Sequence, residues 1–159
     1  MSPLREQLLK TANTYVEAHK NIDVDALRAI YSPSCVHRCD PKPVHPIFPV
    51  VNNAEYMTAI ADVFKIWHRF ECRQFAEAVV DEEARKVVLY IEGRGEAVAG
   101  TYENEYIVTL KMSEDGTLIE ERLQFFDSQP VLEWVTRLGK VAQDLQAKVK
   151  NAKVSEIST

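Results

Sequence analysis

The most informative stretch of this sequence is residues 100–128, which read GTYENEYIVTLKMSEDGTLIEERLQFFDS. Apolar and polar residues alternate on both sides of its centre, which predicts two β-strands at about 101–112 and 117–127. Asp115-Gly116 between them suits a tight turn, because glycine accepts the left-handed conformation that such a turn needs. The sequence therefore predicts an antiparallel hairpin with a three-residue loop, Glu114–Gly116.

The loop length determines which side chains of the hairpin share a face. With a three-residue loop, Tyr106 lies opposite Gln124 and Asn104 lies opposite Phe126, whereas a two- or four-residue loop would reverse the faces. One face then mixes aromatic rings with hydroxyl and amide groups, which is typical of a small-molecule pocket. Simple packing of tyrosines on a sheet is the alternative interpretation. The members of this face are Tyr102, Asn104, Tyr106, Val108, Arg122, Gln124 and Phe126. The opposite face, which suits a partly covered surface or a subunit contact, carries Glu103, Glu105, Ile107, Leu123 and Phe125.

The rest of the chain predicts two helices, then a short first strand, CVHRCD (35–40), then a third helix, and a fourth helix after the hairpin. Two further strands, at about 69–80 and 86–96, precede the hairpin. This order indicates an α+β fold in which a curved antiparallel sheet wraps over the N-terminal helices and leaves a hollow at its open end. The helices begin after Ser2, at Asp23, at Asn52 or Asn53 and at Ser128. The second ends at Ser32-Pro33, the third reaches Trp67, and the fourth carries an apolar stripe of Val131, Trp134, Leu138, Val141, Leu145 and Val149.

Composition limits the classes of function. The chain has 159 residues, so we take residues 1–150 as a single domain and expect the polar tail, 151–159, to fray. Its net charge is −5 and its basic residues are scattered, so neither a nucleic acid nor a membrane surface is an expected partner. The N-terminus lacks the apolar core of a secretory signal, and no window approaches the ~20 apolar residues of a membrane span. We therefore expect a cytoplasmic protein.

Cysteines and histidines form no recognised metal or triad motif. The spacing of Cys35 and Cys39 is not that of a CxxC pair, and Cys72 makes the number odd, so free buried thiols are expected rather than disulfides or a zinc site. No GxSxG or Cys/His pattern predicts a nucleophile. The histidines considered as acid–base groups are His37, His45 and His68.

The stretch 100–128 also resembles a family signature. Its YENEY, DG and FFDS elements are similar to the Y-x-N-E-Y, D-G and E-F-x-D-S pattern of fungal SnoaL-like proteins of the NTF2-like superfamily. The segments CVHRCDPKP and DEEARKVVLYIEGRG resemble the same group, so the likeness covers roughly residues 4–135. This resemblance implies a cone-shaped α+β barrel that is usually dimeric and needs no metal or organic cofactor. It also implies the activities of that group, which include isomerases, semipinacol-type rearrangement enzymes and hydrolases of fungal alkaloid and meroterpenoid pathways.

The resemblance implies a set of catalytic residues as well. Rearrangement enzymes of this type use an Arg of the first strand, two Tyr of the Y-x-N-E-Y strand and a carboxylate of the last strand. These positions fall on Arg38, Tyr102, Tyr106 and Gln124. Gln124 departs from the pattern, because an amide can orient a substrate but cannot exchange a proton near neutral pH. Asp40, which has the strand parity of Arg38, is the candidate for the missing carboxylate, and His37 is expected to point the other way.

Further residues are expected around the pocket. Asn104 and Phe126 would contact the substrate, and the third helix would supply an apolar wall of Tyr56, Ile60 and Phe64, for which simple core packing is the alternative. The proline-rich loop 41–49 lies where the barrel should open, as a lid or as a plain connection.

Two functions follow from these expectations. The first is a cofactor-independent isomerase, cyclase or lyase-type enzyme that rearranges an apolar polycyclic intermediate of fungal secondary metabolism. Arg38 would polarise a carbonyl, the two tyrosines would donate or relay protons, and Gln124 would orient the substrate. The second is a non-catalytic ligand-binding or dimeric interaction module, which Gln124 in place of a carboxylate favours.

Overall fold

The computed structural model describes the backbone of residues 1–157 and the side chains of residues 1–148. It contains four α-helices and a curved, seven-stranded open sheet, so the predicted α+β fold is confirmed. The helices are α1 (Pro3–Lys20), α2 (Val24–Ile30), α3 (Asn53–Ile66) and α4 (Ser128–Ile157). The strands are β1 (Tyr31–Asp40), β2 (Val51–Asn52), β3 (Trp67–Gln74), β4 (Val79–Asp81), β5 (Lys86–Ala97), β6 (Gly100–Met112) and β7 (Ile119–Phe126), and a 3-10 turn, η1, spans Lys42–Val44.

The sheet has the strand order β2-β1-β7-β6-β5-β3, with β4 also paired to β5. Neighbouring strands are antiparallel except β1 and β7, which run parallel. The first three helices pack their apolar residues on one face of this sheet and form the core with it. We call this the inner face, and the opposite side the outer face.

The predicted helix starts are confirmed by their caps. The Ser2 hydroxyl accepts a hydrogen bond from the Arg5 amide at 3.0 Å, and the Asp23 carboxylate accepts one from the Ala26 amide at 2.9 Å. Asn52 and Glu55 form a reciprocal capping box at the start of α3. These contacts satisfy amides that have no partner inside the helix.

Several predicted boundaries are wrong. Helix α2 ends at Ile30, and β1 begins at Tyr31 and continues through Pro33, where its pairing with β7 shifts register. Proline is tolerated in a strand at such an irregularity because no ladder hydrogen bond is needed there. Helix α3 ends at Ile66, so Trp67 belongs to β3. The strand expected over 69–80 is two strands, β3 and β4, which pair with different parts of β5.

The hairpin has the predicted faces but not the predicted loop. The Ser113 amide donates to the Leu118 carbonyl at 2.8 Å, which makes a four-residue loop. A register shift between the pairs Lys111↔Glu121 and Met112↔Ile119 then inserts one extra residue in β7. This bulge reverses the parity a second time. Tyr106 therefore lies opposite Phe126 rather than Gln124, yet both remain on the inner face.

Helix α4 contacts the sheet only with its first turns. Val131 and Trp134 are buried and Leu138 is half-buried, but Leu145 is 52% exposed, so the predicted stripe does not pack along its whole length. The side chain of Val149 lies outside the described residues. The backbone is helical as far as Ile157, and fraying of the tail remains a prediction. None of the helices in the described part of the chain is both long and apolar enough to cross a membrane.

Candidate active site

Two tyrosines of β6 form the polar centre of the inner face near the end of the β6–β7 ladder. The Tyr106 hydroxyl donates to the Tyr102 hydroxyl oxygen at 2.9 Å, and the Asn104 amide donates to the same oxygen at 2.9 Å. We call Tyr102 and Tyr106 the tyrosine pair. Because the Tyr102 oxygen accepts both of these bonds, its own proton is free to be donated to a third group.

Burial keeps the tyrosine pair protonated. It raises the pKa of Tyr106 well above its usual value. It also raises the pKa of Tyr102, although the hydrogen bonds from Tyr106 and Asn104 oppose this rise. A phenol that is neutral at pH 7 and receives two hydrogen bonds can donate a proton, and its anion would be stabilised by the same two bonds.

Asn104 connects the tyrosine pair to the backbone. Its amide nitrogen also donates to the Asp127 carbonyl at 2.9 Å, and its amide oxygen accepts from the amides of Asp127 and Glu105 at 3.2 and 2.9 Å. The regular pairing of β6 with β7 ends at Tyr106↔Phe126. Asn104 therefore continues the ladder with its side chain and positions Tyr102.

Aromatic rings surround the tyrosine pair. Trp67 stacks on Tyr102 and on Trp134, with ring centroids 5.9 and 5.2 Å apart. Phe126 lies 5.9 Å from Tyr106 and 6.0 Å from Phe48 of the proline-rich loop. The two hydroxyl groups thus lie in a largely apolar setting, where hydrogen bonds are stronger than in water.

A buried arginine lies four strand positions further into the sheet than Tyr106, opposite Leu110. Arg122 is 5% exposed and sits on the inner face of β7 next to Gln124. Its Nη2 donates to the Gln124 side-chain oxygen, and its Nε donates to the Tyr15 hydroxyl at 3.2 Å. The guanidinium carbon lies 4.9 Å from the centre of the Tyr56 ring. Burial opposes the charge of Arg122, but attraction to the ionised forms of Tyr15 and Tyr56 at high pH holds its pKa above the usual value. At neutral pH the guanidinium is therefore charged, whereas both phenols are neutral.

His37, and not Arg38, is the β1 residue on the inner face. His37 is 2% exposed, lies flat on Tyr56 with ring centroids 3.8 Å apart, and has Nε2 3.1 Å from the Asn53 amide oxygen. Its placement follows from the parallel pairing of β1 with β7, in which His37 is in register with Arg122. The expectation that His37 points away from the pocket is therefore wrong.

Arg38 and Asp40 lie on the outer face, contrary to prediction. The Arg38 side chain is 54% exposed, and its Nε donates to the Asp40 carboxylate at 2.7 Å. His45 Nε2 contacts the same carboxylate at 2.8 Å. The hydrogen bonds from Arg38 and His45 hold the pKa of Asp40 below its usual value, whereas a general base in this setting would need a raised one.

The other predicted residues have mixed placements. Tyr56 and Phe64 are buried and Ile60 is half-buried against them, which is the core packing that was the alternative to a pocket wall. Of the histidines, His68 is exposed on β3. All three cysteines are free, and Cys35 and Cys72 are buried while Cys39 is half-buried. No group of three or more His, Cys, Asp or Glu side chains in the described residues is arranged to hold a metal ion.

Comparison with known proteins identifies the family. No protein-family model matches the chain. It is, however, 40% identical over 130 residues to "Austinoid biosynthesis clusters protein H" of Penicillium brasilianum, an alignment that covers 80% of this chain and 88% of that protein. The chain belongs to the fungal SnoaL-like family of the NTF2-like superfamily.

Solved structures of other proteins have the same fold as this SnoaL-like protein. The BvnE pinacolase of Penicillium brevicompactum is 30% identical, with a TM-score of 0.80 over 88% of this chain and 96% of that one. A protein of Shewanella denitrificans described as a SnoaL-like polyketide cyclase has a TM-score of 0.66 over 81% of this chain and 96% of that one. At 12% identity, the second similarity shows the fold alone.

Sequence reasoning gave no site role to Arg122, to Tyr15, which contacts Arg122, or to Tyr31, which contacts His37. His37 was expected on the outer face, and Arg122 was placed on the correct face but given no role. An arginine on an otherwise buried face is itself informative, because this residue type is seldom buried without a partner. Tyr15 and Tyr31 gave no comparable indication, since tyrosines on apolar helix faces usually pack in the core.

Proposed function

We propose that this SnoaL-like protein is an isomerase- or rearrangement-type enzyme, needing no metal or organic cofactor, that acts on an apolar polycyclic intermediate of fungal secondary metabolism. The relatives support this: one is a protein of an austinoid biosynthesis cluster, and another is a pinacolase. The observation that carries the proposal is the tyrosine pair, in which a neutral phenol among aromatic rings has a proton available to a substrate.

In the proposed reaction, Tyr102 donates its proton to a substrate oxygen and receives a proton back when the rearrangement ends. Tyr106 and Asn104 stabilise the phenolate in between, since hydrogen bonds to an ionised acceptor are stronger than those to a neutral one. Gln124 orients the substrate, and the aromatic walls hold it in one reactive conformer. An isomerisation conserves all atoms, so this cycle needs no oxidant or reductant.

Removing the Tyr102 hydroxyl tests this proposal. Tyr102→Phe is expected to lower the rate of substrate conversion by about 10²-fold or more, the usual contribution of a general acid. Tyr106→Phe should have a smaller effect in the same direction, because it removes only the hydrogen bond to the Tyr102 oxygen. The measurement is the metabolite profile of a producing strain that carries each variant, followed by turnover with the accumulated intermediate.

Tyr90→Phe is the matched control, because Tyr90 lies on the outer face of β5 and its loss should leave conversion unchanged. A folded Tyr102→Phe protein with full conversion would refute the enzyme proposal. The second candidate, a non-catalytic ligand-binding module, would then be favoured. One observation favours this second candidate: none of the buried polar side chains in residues 1–148 is a carboxylate. Position 124, where the family pattern has Glu, holds Gln.

We also propose that the protein is a cytoplasmic homodimer. The outer face of β1, β6 and β7 supports the dimer, because Val36, Ile107, Leu123 and Phe125 are between 37% and 49% exposed there. Ile107 is paired directly with Phe125, so these side chains form a continuous apolar patch. Arg38 and Asp40 border this patch, so they belong to the proposed subunit contact rather than to the proposed catalytic residues.

A further inference from the structure

Four side chains beyond the tyrosine pair carry buried polar atoms whose hydrogen bonding is incomplete. We call Tyr31, His37, Tyr56 and Arg122 the deep cluster. Their rings and the guanidinium are in mutual contact, and all four residues are at most 8% exposed. His37 Nδ1 and Arg122 Nη1 are buried without a hydrogen-bond partner among the described residues. The Tyr31 and Tyr56 hydroxyls are also buried, and the only group there with which either interacts is the other hydroxyl. Buried polar atoms are nearly always bonded, so two unpartnered atoms beside two hydroxyls that have only each other indicate that another molecule supplies the missing partner.

The missing partner must carry negative charge. The groups that contact Arg122 are a phenol, an amide and an aromatic ring, and all of these are neutral. No carboxylate within residues 1–148 forms an ion pair with it. A buried cation is expected to have a counter-charge, because desolvation without one is costly. Arg122 Nη1 and the hydroxyls of Tyr31 and Tyr56 are all able to donate hydrogen bonds to an anionic oxygen.

The residue at position 124 explains why the charge of Arg122 has no counter-charge among the described residues. The resemblance to the family pattern places Glu at this position, where a carboxylate would face the guanidinium. Gln124 accepts the same hydrogen bond from Arg122 but brings no charge. The side chain at 124 therefore determines whether the arginine is neutralised by the protein or by a ligand.

Two half-buried residues lie between the deep cluster and the tyrosine pair. Cys39 and Gln124 are in register on β1 and β7, directly beyond the pair His37↔Arg122. Both are half-buried, unlike the members of the deep cluster. Cys39 is also near enough to Tyr56 and to Tyr102 to affect the pKa of each, so the two groups of polar residues belong to one continuous region.

We propose that Arg122 is an anion subsite, which binds an anionic oxygen such as a carboxylate on an otherwise apolar substrate, and that Gln124 creates this preference by leaving the guanidinium uncompensated. The proposal rests on the proposed function in that the substrate occupies the inner face. It extends that function by naming the chemical class of the substrate.

Binding of two probes of nearly equal shape tests this subsite: 1-naphthoate, which is anionic, and 1-naphthamide, which is neutral. The wild-type protein should bind naphthoate at least about tenfold more tightly than naphthamide, as measured by calorimetry at pH 7.5. Gln124→Glu supplies an internal carboxylate, so it should remove this preference by weakening naphthoate at least about tenfold while changing naphthamide little.

Arg122→Met should abolish the preference as well, but Gln124→Glu carries the test if that variant does not fold. Arg28→Gln is the control, because Arg28 is an exposed arginine on α2, away from the inner-face site, and should not affect either probe. Equal affinity of the wild-type protein for both probes, no binding of either, or a preference that survives in Gln124→Glu would each overturn the subsite. A clear preference together with an active Tyr102→Phe variant would retain the subsite and reject the enzyme proposal.

Discussion

His37 is a neutral histidine held inside the sheet by aromatic packing. Its ring lies between Tyr31 and Tyr56, at centroid distances of 4.7 and 3.8 Å. Burial lowers its pKa to about 4, and the charge of Arg122 acts in the same direction. Protonation of His37 would add a second cation beside Arg122, with no carboxylate of residues 1–148 paired to either, so the folded state disfavours it.

This shifted pKa predicts acid sensitivity of the fold. Between pH 6.5 and 4 the unfolded chain binds a proton at His37 that the folded chain does not, so stability falls as the pH falls through this window. The free energy of unfolding should decrease by about 1.4 kcal/mol per pH unit for this group, and the contribution should be constant above the window. His19, with a pKa lowered to about 4 by burial, adds to the slope in the same direction.

Urea unfolding at several pH values measures this slope. His37→Gln should reduce it, whatever that substitution does to stability at pH 7, because only a titrating group contributes to the pH dependence. His68→Gln, on the exposed part of β3, is the matched control and should leave the slope as in the wild type. A His37→Gln protein with the wild-type slope would show that His37 binds protons equally in both states.

The inner face of β6 and β7 could be predicted from the sequence, whereas that of β1 could not. Alternation within each strand identifies the residues that share a face of that strand. The predicted relation between the faces of β6 and β7 was correct only because the bulge in β7 compensated for the unexpected four-residue loop. In β1 the choice between His37 and Arg38 depends on which neighbour pairs with the strand. That neighbour, β7, is about 80 residues away in the chain, and local patterns carry no information about such pairing.

At the scale of elements, β5 is adapted to a tryptophan that lies across it. A Cβ atom on Gly95 would come within 2.4 Å of the Trp67 ring, and one on Gly93 would come within 3.0 Å of Phe70. Glycine at 95 therefore lets Trp67 lie flat on the strand, where it stacks on both Tyr102 and Trp134. Trp67 follows the last residue of α3 and is the first residue of β3. The contact between Trp67 and Gly95 therefore lies at the boundary between these elements and also positions the aromatic ring beside the site.

Substitution of Gly95 tests this contact. Gly95→Ala should displace Trp67 and lower the free energy of unfolding by about 1–3 kcal/mol, as overpacking usually does. Gly139→Ala is a matched control, because nothing lies within 4 Å of the added Cβ on α4. That control should be neutral or stabilising by about 0.5–1 kcal/mol, since alanine favours a helix over glycine.

Urea unfolding of both variants, with tryptophan fluorescence as the signal, gives the comparison. If Gly95→Ala is as stable as the wild type and its fluorescence is unchanged, Trp67 does not require this glycine.

The sequence predicted a strand containing Gly93 and Gly95, but it did not indicate that aromatic rings pack against these two glycines. The predicted helix ended at Trp67, and only the folded arrangement brings that ring onto β5.

At the scale of the whole molecule, the two sides of the sheet differ in chemistry. The inner face is closed by α1, α2 and α3 and contains the tyrosine pair and the deep cluster. The outer face has no helix of the described chain packed on its apolar patch of Val36, Ile107, Leu123 and Phe125. The overall α+β architecture followed from the order of elements in the sequence. The partner of the outer face did not, because a monomer's sequence pattern does not distinguish a subunit contact from an exposed surface.

A charge in the centre of this patch tests the proposed homodimer. Phe125 is 49% exposed and paired with Ile107 on one side and with Asp40 on the other. Phe125→Glu would bury an unpaired carboxylate in a symmetric contact, where each substitution acts twice, so the dimer dissociation constant should rise by at least about tenfold. Sedimentation velocity over a range of concentrations measures it. Val98→Glu, which places the same charge at a 63% exposed residue in the β5–β6 turn, is the control and should leave the assembly intact. A wild-type protein that sediments as a monomer at all concentrations, or a Phe125→Glu protein that remains dimeric, would place the contact elsewhere or exclude it.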